Sequence, residues 1–303
     1  MNQAMEDKTS TTMAKPTLKL FQALVLLTAI GISVCASFEL GRVLGSPPPS
    51  FESGKVSESQ SVPFAIPNTI LADIDDTGYL TLVNKDYPVP WEPEPESLVS
   101  AWPTVPVSNA QEIRLRQPAL DAVEALFAAA RAASAGSFYV SSGYRSYGAQ
   151  SLIYHAAEDR SFVQPPGHSE HHLGLAVDIM AVGIGQQDLG DTPEGRWLAE
   201  NAHRFGLVLR YPKGKERQTG IAHEPWHFRY VGAVHAAYMH RQGLVLEEYV
   251  ELLQRKGELT IALDGRTYRV QCQVPANGML HVPDDAKYEI SGDNAGRFVV
   301  TSW

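Results

Sequence analysis

Apolar residues recur every three or four positions in several stretches of the chain, and this spacing predicts helices. The first stretch runs from Pro118 to Ala133, with a proline in its first turn and Gly136 just past its end. One face of this stretch carries only apolar side chains, which favours packing against a core: Leu120, Val123, Leu126, Phe127 and Ala130. Four further helices are predicted at residues 147–158, 193–205, 233–242 and 247–256.

Short apolar runs between these helices predict buried β-strands. These runs are Ser137–Ser141, Leu175–Met180, Leu207–Arg210 and Trp226–Val231. Apolar and polar residues also alternate at Tyr79–Asn84, so a strand is predicted there.

The last part of the chain alternates strictly around turn residues and predicts β-hairpins. Alternation on both sides of Asp264-Gly265 is the strongest short-range hairpin signal, and Cys272 reads as a buried apolar residue of this hairpin. A second hairpin is predicted from Lys287 to Thr301, with its turn near Ser291–Asn294. Residues 257–303 are therefore predicted to form a small β appendage.

The first part of the chain is predicted to contain a membrane-targeting segment followed by a flexible linker. Residues 1–43 contain a polar, lysine-bearing tail and an apolar run from Leu20 to about Phe38. This pattern fits either an uncleaved single-pass anchor, which we favour, or a signal peptide cleaved near Val34-Cys35-Ala36. Residues 44–69 are rich in proline and serine and predict a flexible linker. Residues 70–256 are predicted to form the main folded domain.

Composition and charge exclude some classes of function. The chain has 303 residues and a net charge of −9, from 25 basic and 34 acidic residues. Nucleic-acid binding requires clustered lysine and arginine, so no nucleic-acid partner is expected. Only two cysteines occur, Cys35 and Cys272, which excludes a disulfide scaffold and a thiolate metal site.

Two short stretches carry the candidate chemistry. His171 and Asp178 lie in the first, and Glu224 and His227 lie in the second. Two imidazoles and one carboxylate can hold a zinc ion with one position open for water, while a further carboxylate acts as general base. Each residue alone also fits an ordinary role, such as an ion pair between Asp178 and an arginine. The combination favours a hydrolytic zinc site.

These stretches, together with the turn Gly143-Tyr144-Arg145-Ser146, resemble the D-alanyl-D-alanine carboxypeptidase family of zinc peptidases. This family includes carboxypeptidases of the VanY type and related L,D-carboxypeptidases. Its pattern is Ser-x-His-x-x-Gly-x-Ala-x-Asp followed by Glu-x-Trp-His. The pattern is met here at Ser169, His171, Gly174, Ala176, Asp178, Glu224, Trp226 and His227. The resemblance extends from about residue 80 to about residue 243.

The resemblance implies a role for individual positions. His171, Asp178 and His227 match the zinc ligands. Glu224 matches the catalytic base, which takes a proton from water and passes one to the leaving amine.

Three further positions match residues that contact the substrate. Arg145 matches an arginine that stabilises negative charge on the peptide carboxylate or the oxyanion. Gln150 matches a residue that helps to hold the substrate terminus, and Ser169 matches a residue that lines the pocket.

The expected fold is α+β, with a central, mostly antiparallel sheet, flanking helices, a zinc cleft at one edge and the C-terminal β appendage. The expected function is zinc-dependent removal of the terminal D-alanine from peptidoglycan stem peptides, on the outer side of a bacterial membrane. The alternatives are an L,D-carboxypeptidase, a peptidoglycan endopeptidase, a non-catalytic zinc-bearing cell-wall binding module, and a surface protein that binds through its appendage.

Overall fold

The computed structural model describes residues 69–108 and 112–303. The predicted tail, membrane segment and nearly all of the linker lie outside the described residues. In the part of the chain that is described, no helix is both long enough and apolar enough to cross a membrane.

Twelve strands and six α-helices make up the described structure. The strands are β1 (Thr69–Ala72), β2 (Leu98–Ser100), β3 (Arg114–Arg116), β4 (Phe138–Ser142), β5 (Ala176–Ala181), β6 (Leu207–Tyr211), β7 (Glu224–Tyr230), β8 (Glu258–Leu263), β9 (Arg266–Gln273), β10 (Leu280–Pro283), β11 (Tyr288–Gly292) and β12 (Phe298–Ser302). The helices are α1 (Gln117–Ala132), α2 (Tyr147–Ala156), α3 (Pro193–Asn201), α4 (Glu216–Thr219), α5 (Ala233–Gln242) and α6 (Leu246–Lys256).

The central sheet has the strand order β4-β5-β7-β6, and every neighbouring pair is antiparallel. Strand β5 lies in the interior of this sheet and is apolar except at Asp178, as expected for a strand covered on both faces. Helix α1 buries the predicted apolar face in the same core. The prediction of an α+β fold with a central antiparallel sheet is confirmed.

The predicted strand at Tyr79–Asn84 is wrong, because this segment forms a turn at Tyr79 and Leu80 and then continues without regular secondary structure. Its backbone carbonyl groups surround the buried guanidinium of Arg229, whose Nη2 donates to Tyr79 O and Thr81 O, both at 3.1 Å. The alternating Leu80 and Leu82 are buried as a strand would bury them. Tyr79 O and Thr81 O, which a neighbouring strand would use as acceptors, accept from an arginine side chain instead.

Both C-terminal hairpins are present, and they combine into one sheet with the order β11-β12-β9-β8. Asp264 and Gly265 both have positive φ angles, 50° and 73°, as a tight turn at this position requires. This sheet shares a core with the rest of the molecule: Ile261, Val270 and Val299 pack in one cluster with Leu80 and Tyr249. The C-terminal sheet, which begins near residue 257, therefore packs into the same hydrophobic cluster as residues of the preceding domain.

Candidate metal centre

The register of the central sheet brings two of the predicted ligands together. Asp178 in β5 pairs directly with His227 in β7, and residues that face each other across an antiparallel pair project to the same side. His171 lies in a short 3-10 turn, Glu170–Leu173, just before β5. Gly174 ends this turn with a φ angle of 66°, which suits glycine. The chain then enters β5 with His171 beside the Asp178–His227 pair.

The candidate ligand atoms of His171, Asp178 and His227 all lie within 4.8 Å of one another. His171 Nε2 is 3.4 Å from Asp178 Oδ2, and His227 Nδ1 is 3.1 Å from Asp178 Oδ1. Yet His171 Nε2 and Asp178 Oδ1 are buried and have no hydrogen-bond partner. Unpaired buried polar atoms are costly, and a shared cation would satisfy them. The nitrogen and oxygen donor set fits zinc.

A backbone contact fixes the Nδ1 atom of His171. Its Nδ1 lies 2.6 Å from the carbonyl oxygen of Gly143 and donates to it, so Nε2 carries the free lone pair. Burial and the charge of Arg145 lower the pKa of His171 to about 4. The imidazole is therefore neutral at pH 7, which is the form that binds a metal.

Glu170 also lies beside His227, although the metal-ligand pattern in the sequence does not include it. Its Oε1 accepts from Arg210 Nε at 2.8 Å and from Arg229 Nη1 at 2.9 Å, and its Oε2 lies 3.6 Å from His227 Nε2. Burial favours the neutral acid, but the two guanidinium groups outweigh this and lower the pKa of Glu170. The carboxylate therefore lies on the Nε2 side of the His227 ring, while Nδ1 faces Asp178.

One signal in the sequence pointed to this contact. Arg210 and Arg229 each lie in a mostly apolar predicted strand, and both are fully buried in the structure. A buried arginine requires an acidic partner, and Glu170 lies inside the most informative motif of the chain.

A β-bulge places Glu224 beside His227. Residues three apart in a regular strand face opposite sides, but the register of β7 against β6 shifts between the pairs Leu209–Phe228 and Tyr211–Glu224. Pro225 lies in the shifted part, where the sheet tolerates a residue without an N–H group. Glu224 Oε2 consequently lies 3.6 Å from His227 Nδ1. Burial raises the pKa of Glu224 to about 8, and the charge of Asp178 adds to this effect.

The three predicted substrate-contacting residues line the same cavity as His171, Glu224 and His227. Gln150 and Ser169 are buried, with 1% and 4% of their surfaces exposed. Arg145 Nε is buried without a hydrogen-bond partner, and within residues 69–108 and 112–303 no carboxylate forms an ion pair with this guanidinium. Arg145 is thus available for a negatively charged ligand.

His172, at a variable position of the Ser-x-His-x-x-Gly pattern, supports Arg145. Its Nδ1 donates to the carbonyl oxygen of Arg145 at 2.7 Å, and its Nε2 accepts from the backbone N–H of Gly167 at 3.1 Å. The backbone N–H of Arg145 in turn donates to His171 O at 3.2 Å. These contacts hold the Arg145 turn against the metal-binding turn.

Comparison with known proteins agrees with this geometry. The family model described as VanY, D-alanyl-D-alanine carboxypeptidase, matches residues 112–233. A D-alanyl-D-alanine carboxypeptidase of Enterococcus faecium is 39% identical over 165 residues, which cover 54% of this chain and 53% of that protein. The crystal structure of the vancomycin resistance D,D-dipeptidase VanXYg, in complex with a D-Ala-D-Ala phosphinate analogue, is 30% identical with a TM-score of 0.66. The match covers 78% of this chain and 98% of VanXYg.

The chain belongs to the VanY family of D-alanyl-D-alanine carboxypeptidases. The LdcB LD-carboxypeptidase is also similar to this VanY-family chain, at 35% identity and a TM-score of 0.52, with 60% of this chain and 94% of LdcB covered. The chain spans about half the length of its Enterococcus faecium relative.

Replacing His171 with alanine should abolish stoichiometric zinc binding, because two ligands remain where catalytic zinc takes three. We expect the purified variant to hold less than about a tenth of the zinc of the wild type in elemental analysis after dialysis. His155→Ala is the matched control, since His155 is exposed on α2 and contacts only Ser151 and the ring of Tyr154. Full zinc content in His171→Ala would exclude His171 as a ligand.

Proposed function

We propose that this protein is a zinc-dependent D-alanyl-D-alanine carboxypeptidase that removes the terminal D-alanine from peptidoglycan stem peptides. The observation that carries the proposal is the position of Glu224. It is a buried carboxylate 3.6 Å from one member of a three-residue metal cluster, in a cavity that also contains the unpaired Arg145. A metal site that only stabilised the fold would have no use for either group.

His171, Asp178 and His227 would hold the zinc ion. When bound, zinc supplies a Lewis acid that polarises the scissile carbonyl and lowers the pKa of nearby water. Glu224 takes the proton of the attacking water and passes it to the amine of the departing D-alanine. Burial raises the pKa of Glu224, and the positive charge of a bound zinc ion would lower it, so that the carboxylate can accept a proton.

Arg145 would bind the negative charge of the substrate. The guanidinium is permanently charged, planar and suited to a carboxylate. A peptide that ends in D-alanine presents a carboxylate one residue from the bond to be cut. An unpaired arginine in the same cavity as Glu224 therefore selects for cleavage of the last residue and supports a carboxypeptidase over an endopeptidase.

The proposal includes a location outside the cytoplasm, held by the N-terminal segment. The basic residues before the apolar run at 20–38 support export with the N-terminus inside. The substrate supports the same location, because mature peptidoglycan lies beyond the cytoplasmic membrane. Protease treatment of intact cells should then degrade the folded domain, whereas an intracellular protein would be protected.

L,D-carboxypeptidase activity is the second candidate, and the similarity to the LdcB LD-carboxypeptidase favours it. Both activities use the same metal cluster and base, and they differ in the stem peptide that fits the cleft.

Peptide products distinguish these candidates. We expect the full-length, zinc-loaded protein to release one D-alanine from a muramyl pentapeptide ending in D-Ala-D-Ala and to leave the tetrapeptide ending in D-Ala intact, as followed by mass spectrometry. A chelator should stop the reaction and added zinc should restore it. Cleavage of the tetrapeptide alone would establish the L,D-carboxypeptidase instead, and cleavage of neither would contradict both activities.

A further inference from the structure

We infer that Gln164 binds the terminal carboxylate of the substrate, beside Arg145, through its side-chain N–H group. This inference rests on the proposed carboxypeptidase function and adds a substrate-binding residue to it. Gln164 lies between the short turn at Arg160–Phe162 and β5, outside the two sequence motifs that carry the metal ligands and Glu224.

The side chain of Gln164 has a donor that nothing in the described structure satisfies. Gln164 is 8% exposed, and its Nε2 atom is buried without a hydrogen-bond partner. It lines the cavity that contains Arg145, Glu224 and His227. Buried amide nitrogens are nearly always paired, so a lone one in a binding cleft indicates a ligand that accepts a hydrogen bond.

The neighbouring Gln150 has the complementary property. Its Nε2 donates to the backbone oxygen of Gln164 at 2.7 Å, and a carbonyl oxygen can only accept, so this bond fixes which end of the Gln150 amide faces the cleft. Its Oε1 is then left buried and unpartnered in the same cavity. The two glutamines therefore contribute one unpaired donor and one unpaired acceptor to the lining of this cavity.

The end of a peptide has matching groups. Its terminal carboxylate accepts hydrogen bonds, and the peptide N–H of the last residue donates one. Arg145 and Gln164 supply two donors for the carboxylate, and Gln150 Oε1 supplies an acceptor for the N–H group. A substrate whose last carboxylate is blocked as an amide loses the negative charge and one of the two oxygen acceptors, so its hydrogen bond to Gln164 would be weaker.

The side chain of Gln164 can be changed without removing the contact that holds Gln150. Gln150 bonds to the backbone oxygen of Gln164, which every substitution retains. Gln164→Met keeps the length of the side chain and removes only its amide. The matched control is Gln187→Met, because Gln187 is exposed and lies away from the cavity.

The test measures binding by calorimetry with zinc-loaded, full-length protein that carries Glu224→Gln, so that the peptide is not consumed. A hydrogen bond to a charged group predicts that Gln164→Met weakens binding of an acyl-D-Ala-D-Ala peptide about 10- to 100-fold. The same substitution should weaken binding of the C-terminal amide of that peptide several-fold less, because the amide offers only a neutral acceptor. Gln187→Met should change neither.

The binding results distinguish a failure of the inference about Gln164 from a failure of the proposed function. Equal Kd values for the carboxylate peptide with and without Gln164→Met would overturn the inference while leaving the proposed function intact. Equal losses for the carboxylate and amide peptides would also overturn it, since they would show a general effect on the cleft. Peptide binding without any turnover by the wild type would overturn the proposed function alone, and absence of binding by the parent protein would overturn both.

Discussion

The Glu224→Ala variant is expected to bind zinc as the wild type does and to release D-alanine about 100- to 10,000-fold more slowly, which is the usual contribution of a general acid–base group. Glu224 is the one carboxylate of the cavity that lies beside the metal cluster without being among its three members. Its removal takes away the group that accepts the proton of water but leaves His171, Asp178 and His227 in place. Turnover of the pentapeptide and zinc content are measured on the same preparation.

Glu251→Ala is the control for this prediction, since Glu251 is exposed on α6 and remote from the cavity. It should keep both zinc and activity. Activity of Glu224→Ala within about threefold of the wild type would remove Glu224 from the mechanism. Loss of zinc from Glu224→Ala would instead make Glu224 part of the metal site.

Replacing Glu170 with alanine should lower the free energy of unfolding by about 3–5 kcal/mol, the usual cost of removing one partner of a buried ion pair. Arg210 and Arg229 are both 0% exposed and share Oε1 of this carboxylate. Without it, Arg229 still donates to backbone carbonyl oxygens, and Arg210 still contacts Glu247 and the ring of Tyr211. Denaturant unfolding in the presence of a chelator measures this effect separately from any loss of metal.

Glu258→Ala provides the matched comparison. Glu258 also accepts from an arginine, Arg269 at 2.8 Å, but its side chain is 42% exposed. An exposed pair of this kind is worth about 0–1 kcal/mol. If Glu170→Ala costs no more than Glu258→Ala, the buried network does not stabilise the fold in the way that the structure indicates.

Local patterns predicted the elements whose stability is local. The apolar spacing of Leu120, Val123 and Leu126 predicted α1, because one helical face must be buried whatever it packs against. Asp264-Gly265 predicted the β8–β9 hairpin, because few residues tolerate the positive φ angles of its turn. The same kind of pattern was misleading at Tyr79–Asn84. There Arg229, about 150 residues away, donates hydrogen bonds to carbonyl oxygens that would otherwise bond to a neighbouring strand.

The sequence by itself determined the chemistry that this protein has available. Its motifs contain two imidazoles, a ligand carboxylate and a free carboxylate in the order of the VanY family, and these residue types favour metal-assisted hydrolysis. Residue types and their spacing are properties of the chain, so no tertiary contact is needed to read them.

Only the tertiary structure decided how these groups meet. The pairing of Asp178 with His227 depends on the register between β5 and β7, and the position of Glu224 depends on a bulge in β7. The carboxylate of Glu170 binds Arg210 and Arg229, which come from two strands far away in the sequence. Such contacts join residues far apart in the chain, and their geometry follows from packing the whole core, which local periodicity does not encode.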